Sequence, residues 1–100
     1  MGLKYTTTCL GYQQITSLSS AAGLTVPVVD PKTGEKMMPT KVVIVPETQA
    51  VRWRDDGTSP TSSVGMPLAV GQALEYDGDM NRLKFIEQAA SAKLNVAYYV

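Results

Sequence analysis

Lys93-Leu94-Asn95-Val96-Ala97-Tyr98-Tyr99 is the stretch that decides the fold. Leu94, Val96 and Tyr98 fall on one side and the intervening residues on the other, which is the period of two expected of a half-buried β-strand. Tyr98 and Tyr99 must then point to opposite faces, so at most one of them lies in the core. The segment predicts a strand that closes a β-sheet.

Two earlier segments predict further strands. In Val51-Arg52-Trp53-Arg54 the apolar residues share one face and the two arginines share the other, so Trp53 is the expected core anchor. Residues 41–45 are apolar on both faces, as in a central strand or one whose outer face is covered by a partner. Pro46 is expected to end this strand or to introduce a bulge.

A hairpin is predicted over residues 74–87. Leu74 and Tyr76 share a face and precede Asp77-Gly78, a dipeptide typical of tight turns between strands, so residues 81–87 would form the partner strand. Residues 85–94 also fit helical spacing, but strand-forming residues flank the alanines and a two-turn helix would be marginal, so we prefer strands. Residues 8–16 and 24–29 predict two strands with weaker alternation.

Six or seven short strands at roughly ten-residue spacing predict one all-β domain over residues 1–100. We expect a small antiparallel sandwich or barrel with jelly-roll-like or Greek-key connections. Loops 30–36 and 56–63 are polar and expected to be exposed, the second as a contact loop. The predicted core contains Val43, Val51, Trp53, Leu74, Tyr76, Leu83, Phe85, Leu94, Val96 and one of the final tyrosines.

Composition removes several classes of function. Nine basic and nine acidic side chains cancel, so no positive field draws nucleic acid. Without histidine, a Ser-His-Asp triad, a Cys-His pair and a histidine-ligated metal cannot form. Neither a P-loop pattern nor G-x-G-x-x-G occurs. The longest aliphatic run, residues 42–45, is far shorter than the ~20 residues of a membrane-spanning helix, and we expect no membrane partner.

The N-terminal residues and the single cysteine suggest a reducing interior. The first eight residues contain no apolar segment long enough for a signal peptide, so export by that route is not expected. Gly2 and Thr6 have the spacing of a myristoylation pattern, which is short, and we do not expect acylation. Cys9 has no second cysteine to pair with and is expected to be a buried, inert thiol.

An acidic group, Asp55 and Asp56 in one loop and Asp77 and Asp79 in another, is the best candidate for chemistry. Carboxylates from two loops could hold calcium or act in glycoside hydrolysis, but no EF-hand spacing is present. Aspartates beside glycine more often cap turns through their own backbone. We therefore predict no catalytic residue, no metal and no cofactor.

The same region predicts a protein-binding surface. Arg52 and Arg54 share one strand face and could bind carboxylates of another subunit, or pair with the chain's own aspartates across a hairpin. The outward-pointing member of the final tyrosine pair is a further contact candidate, because tyrosine is enriched at protein interfaces. The predicted interface residues are Arg52, Arg54, Asp55, Asp56, Thr58 and Tyr99.

Residues 44–58, continued by 60–61, 64–68 and Gly71, resemble a small structural protein encoded among the head genes of tailed phages. Tyr76-Asp77-Gly78-Asp79, residues 85–87 and residues 94–99 are similar to the same family. The resemblance covers about two thirds of the chain. The residues up to about Lys41 match the pattern less well.

The resemblance implies a virion protein that is made in the host cytoplasm and carries no catalytic residues. It favours a capsid decoration or cement protein that binds the major capsid protein or other virion proteins, with a homo-oligomer expected. Many weak contacts repeated on a symmetric shell would add through multivalency. A tail, spike or fibre-base protein is the first alternative. A metal-dependent or carbohydrate-active domain built on the acidic loops is the second.

Overall fold

Eight β-strands form two four-stranded antiparallel sheets in a computed structural model, which describes residues 7–100. Sheet A has the order β1-β8-β3-β6 and sheet B the order β2-β7-β4-β5. The strands are β1 (Cys9–Ile15), β2 (Ala22–Gly23), β3 (Lys41–Glu47), β4 (Val51–Arg54), β5 (Met66–Leu68), β6 (Leu74–Tyr76), β7 (Lys84–Glu87) and β8 (Lys93–Tyr99), and a 3-10 helix covers Met80–Arg82.

The pairing of the strands is that of a jelly roll. β1 pairs with β8, β2 with β7, β3 with β6 and β4 with β5, so the chain folds as one long hairpin wrapped into two sheets. The predicted all-β fold with jelly-roll-like connections is confirmed. Of the two architectures expected, the structure is a sandwich and not a closed barrel.

Buried and outward-facing residues alternate along β3 and β8, the two central strands of sheet A. Val42 and Ile44 are fully buried, whereas Val43 is half-buried and faces outward, so its predicted core position is wrong. A strand that is apolar on both sides does not reveal which set of residues faces inward. Tyr98 is the core tyrosine. The buried core is Leu10, Leu18, Val42, Ile44, Val51, Leu68, Met80, Leu83, Phe85, Ala92, Leu94, Val96 and Tyr98.

Three residues predicted for the core lie at the margin of the core. Trp53, Leu74 and Tyr76 are half-buried and pack against the buried set. Trp53 and Tyr76 come from different sheets, and their rings meet edge to face at a centroid distance of 6.1 Å. They therefore close one end of the sandwich instead of filling its centre.

Pro46 neither ends nor bulges β3. The strand keeps its register against β8 through Glu47, and Pro46 itself is buried. Its carbonyl accepts a hydrogen bond from Gly71 N–H at 2.9 Å, on the side away from β8. The N–H that proline lacks would point to that same side, towards β6. Since β6 pairs only with Val42, Val43 and Ile44, no hydrogen bond between strands is lost at Pro46.

The predicted hairpin over residues 74–87 is wrong. β6 pairs with β3 in sheet A, whereas β7 pairs with β4 in sheet B. Asp77-Gly78 and the 3-10 helix carry the chain from one sheet to the other, with the Asp79 side chain accepting the Asn81 N–H at 3.1 Å and Met80 buried. Residues 85–94 contain strands joined by a turn and no helix, as preferred above.

The predicted strand over residues 24–29 is also wrong, because β2 ends at Gly23 and no strand follows it before β3 begins at Lys41. Residues 28–38, called the arm, double back on themselves: Val28 accepts the Met37 N–H and Val29 bridges Lys36. Residues 31–36 are exposed as predicted, but Asp30 is buried, because its carboxylate and carbonyl accept hydrogen bonds within the turn.

Cys9 is exposed, so the predicted burial of its thiol is wrong. A bulge between Cys9 and Gly11 turns Leu10 into the core and leaves Cys9 on the outer side, opposite Tyr99. The predictions for Gly2 and Thr6 fall outside the described residues. Within residues 7–100, no helix has the length and apolar character needed to cross a membrane.

Candidate functional site

The β4–β5 loop, residues 55–65, lies back over the outer face of sheet B. Arg52 points outward from β4 and donates from Nε to the Ser62 carbonyl at 3.1 Å and from Nη1 to the Gly65 carbonyl at 2.9 Å. Lys84, on the neighbouring strand, donates to Ser59 Oγ at 3.5 Å. The predicted exposure of this loop holds for most of its residues, but Pro60 is buried.

Arg54 pairs with an aspartate of its own loop. Its Nε and Nη2 lie 3.0 and 2.5 Å from the two carboxylate oxygens of Asp56, a bidentate arrangement. This hydrogen bonding lowers the pKa of Asp56 and raises the pKa of Arg54. Asp56 also accepts the Thr58 N–H at 3.3 Å. The three residues form one ordered charged corner at the end of β4.

Asp55 binds across to the other sheet. The Tyr76 hydroxyl donates to Asp55 Oδ2 at 2.6 Å. Burial, followed by the hydrogen bond and the negative charge of Asp55, raises the pKa of Tyr76 to about 12. Gly78 leaves room for this ring, since a Cβ at that position would lie 2.6 Å from Tyr76 Cζ. The loop is thus held by Arg52 on one side and by Tyr76 on the other.

Exposed apolar side chains stand beside the charged corner. Val64 and Met66 are 54% and 58% exposed, and with Arg54, Asp55 and Asp56 they line a shallow depression of about 230 Å³. Val70, after β5, is exposed as well. Neighbouring exposed apolar side chains rimmed by polar residues are a feature of protein-binding patches. The sequence pattern did not single out Val64 or Met66, because isolated apolar residues in and beside a polar loop carry no periodicity.

The six residues predicted for the interface belong to two surfaces. Arg52, Arg54, Asp55, Asp56 and Thr58 lie together at the β4–β5 loop, although Arg52 is engaged with carbonyls of its own chain. Tyr99 lies on the outer face of sheet A, between Cys9 and Lys41 on the flanking strands. Whether either surface binds a partner stays a prediction.

The four candidate aspartates do not converge. Asp55 binds Tyr76, Asp56 binds Arg54 and Asp79 caps the 3-10 helix. Over residues 7–100, no three Asp, Glu, Cys or His side chains are grouped so that they could hold a metal ion. The arrangement of these carboxylates therefore adds no support to a calcium site.

A second depression, which no sequence motif indicated, lies beside the edge strand β1. It measures about 310 Å³ and is lined by Gly11, Tyr12, Gln13, Thr25, Pro27 and Tyr98. Gln13 Oε1 accepts the Tyr98 hydroxyl at 2.9 Å and the Thr25 N–H at 3.2 Å, which fixes the orientation of the amide. Burial raises the pKa of Tyr98 to about 12.

No family model matches the chain, and no match was found among curated proteins or solved structures. An inference about function therefore depends on the residues of the molecule.

Proposed function

We propose that this protein is a non-enzymatic structural component of a tailed-phage particle, a decoration or cement protein that binds the capsid through protein contacts. The observation that carries the proposal is the patch beside the β4–β5 loop, where exposed Val64 and Met66 adjoin the ordered Arg54–Asp56 pair. The segment that resembles phage head proteins includes this patch.

The patch is suited to repeated, moderate binding. Arg52 fixes the loop before any partner arrives, so little loop entropy is lost on association. Its apolar side chains are few, which suits a contact that gains strength by repetition on a symmetric shell. The jelly roll is compatible with this role, since capsid proteins use it, but lectin domains and cupins use it too.

The arm offers a second contact. Val28 and Met38 are each 58% exposed, and Val29 is exposed beside them. A pair of exposed valines on the arm would be accessible to a neighbouring subunit. A particle-binding role would use both the arm and the patch.

Mass spectrometry of purified particles tests the proposal. We expect the chain in particles banded by density and absent from the same gradient fractions of lysate lacking particles. Its absence from the virion would overturn the proposal. Microscopy of labelled particles then separates decoration, with label over the whole head, from the alternative of a tail, spike or fibre-base protein, with label at one vertex.

Re-binding to particles that lack the protein tests the patch. The double variant Val64→Glu, Met66→Glu places two charges at the proposed contact, and we expect at least tenfold weaker binding, since unpaired charges at an interface are costly. Ser19→Glu, Ser20→Glu adds the same charge at two exposed positions between β1 and β2 and is the matched control. Equal binding by both variants would show that the patch is not the contact.

A further inference from the structure

The outward side of β3 carries a self-complementary row. Lys41, Val43, Val45 and Glu47 point away from the core, because Val42, Ile44 and Pro46 between them are buried. Positive charge lies at one end, negative charge at the other, and two valines lie between. The row is symmetric in spacing about Ile44.

No strand or helix of residues 7–100 packs on this side of sheet A. Strand register places Tyr12, Ala97 and Val43 side by side across it, with Val45 and Tyr99 adjoining. Tyr12 is 64% exposed. We call these five residues, together with Lys41, Glu47, Lys93 and Asn95, the open face. A contiguous apolar area on a sheet that faces solvent is typical of an interaction surface.

The charges of the open face select the partner. A twofold axis that lies between the two copies at the level of Ile44, parallel to the sheets and perpendicular to the strands, places Lys41 opposite Glu47 of a second copy and Val43 opposite its Val45. The same rotation places Lys93 over Tyr99 of the second copy, a cation–π pairing. Each contact occurs twice, as in any isologous interface.

We infer that the open face binds the open face of a second copy of this chain, face to face, with Lys41 paired to Glu47 across the interface. The existing partners of these charges do not prevent this. Lys41 and Glu75 form an ion pair of 2.9 Å, but their side chains are 42% and 66% exposed, and such pairs are weak. Glu47 Oε1 accepts a hydrogen bond from Asn95 Nδ2 at 3.0 Å, which leaves the second carboxylate oxygen for Lys41 of the other copy. The inference concerns the protein alone and does not depend on the virion proposal.

The size of the face sets the expected strength. Three strands about 4.8 Å apart and seven residues long cover about 14 by 24 Å, less than the ~800 Å² per partner of a standard stable interface. We therefore expect a reversible dimer with a dissociation constant of roughly 10–100 µM. Two sheets packed in this way lie ~10 Å apart.

Sedimentation velocity over about 5–500 µM protein tests the dimer. We expect a concentration-dependent shift from monomer to dimer, and at least tenfold weaker association for Val43→Lys, which buries a charge at the centre. Ser19→Lys, at an exposed position between β1 and β2 and outside the open face, adds the same charge, is the control, and should dimerise normally. A wild-type protein that stays monomeric at the highest concentration overturns the inference, as does loss of dimer in Ser19→Lys alone.

Charge reversal tests the arrangement. We expect Lys41→Glu and Glu47→Lys each to weaken the dimer roughly fivefold or more, and the double variant to restore it, because the pair then re-forms with opposite polarity. A double variant no better than the single ones overturns the pairing. Thermal melts confirm folding, and Tyr12→Ala, at a highly exposed position, gives a disruption that does not depend on folding of the core.

Discussion

The outer faces of the two sheets differ in what covers them. On sheet B, Arg52 points outward and binds two carbonyls of the β4–β5 loop, which covers the strand from which it starts. On sheet A, Val43 and Val45 point outward and no strand or helix of residues 7–100 packs over them. A polar anchor can hold a loop of the same chain, because main-chain carbonyls accept its hydrogen bonds. An apolar row has no such anchor, and we propose that a second copy of the chain covers it.

The largest loss of stability that would test this contrast is expected at Gly65, the last residue of the β4–β5 loop. Its φ is +145°, and a Cβ would lie 3.1 Å from Cβ of Arg52 and of Pro60. We expect Gly65→Ala to lower the free energy of unfolding by about 3 kcal/mol, measured by urea denaturation. Gly11, on edge strand β1, has open space around it, so Gly11→Ala should change the free energy of unfolding by less than about 0.5 kcal/mol. Equal effects would mean that the loop is not closely packed.

The next effect is expected at Arg52 itself. Arg52→Met keeps the aliphatic stem but removes both hydrogen bonds to the loop, and we expect a loss of about 2 kcal/mol in urea denaturation. Hydrogen exchange should rise at residues 61–65 and not on β8. Lys84→Met removes only a long contact to Ser59 and serves as control. Unchanged hydrogen exchange after Arg52→Met would show that the position of the β4–β5 loop does not depend on this side chain.

A smaller effect is expected at Tyr76, which reaches from sheet A to the loop. Tyr76→Phe should cost about 1 kcal/mol at neutral pH, because the hydrogen bond to Asp55 is lost. The pKa of Tyr76 is raised to about 12 in the folded protein, against about 10 in the unfolded chain. The folded state then holds more protons between these values, so stability falls as pH rises from about 10 to 12.

The same reasoning applies to Tyr98, whose pKa is also raised to about 12, through burial. Urea midpoints measured from about pH 8 to 12 should therefore fall less steeply for Tyr76→Phe and for Tyr98→Phe than for the wild type. Parallel curves for all three proteins would contradict the assigned pKa shifts.

The smallest effect is expected on the open face. At concentrations too low for association, Val43→Thr should alter the unfolding free energy by less than about 0.5 kcal/mol, because this side chain packs on no second layer. Val42→Thr, one residue earlier and fully buried, should cost about 2 kcal/mol and is the matched comparison. Similar losses for both variants would show that the face is already covered in the monomer.

Much of the fold was predictable where one face of a strand differs from the other. The alternation in β8 gave its inward residues correctly, and Val51 in β4 is buried as expected. In β3 the choice between Val42 and Val43 depended on contacts with the second sheet, which the apolar run does not encode. The Asp77-Gly78 pair suggested a hairpin, but whether a turn returns to the same sheet or crosses to the other is decided by distant strands.

The candidate site was predictable in its location more than in its bonding. The outward direction of Arg52 and Arg54 followed from alternation, and pairing of Arg54 with an aspartate of its own chain was one of the alternatives considered. The partners of Arg52 are main-chain carbonyls, which leave no sequence signature. Tyr99 faced outward as expected, but its separation from the other five residues depends on which strands share a sheet.

The position of β8 has a consequence for how the protein is made. This strand lies between β1 and β3, so sheet A has no centre until β8 has been synthesised. At ~5–20 residues per second, the roughly 80 residues from β1 to β8 take about 4–16 s to emerge. During that time β1 and β3 have no neighbour on the sides that β8 will occupy. The ribosome thus releases β8 after the two strands that it joins. A stalled or shortened chain would expose the unpaired edges of β1 and β3, which could pair with other chains.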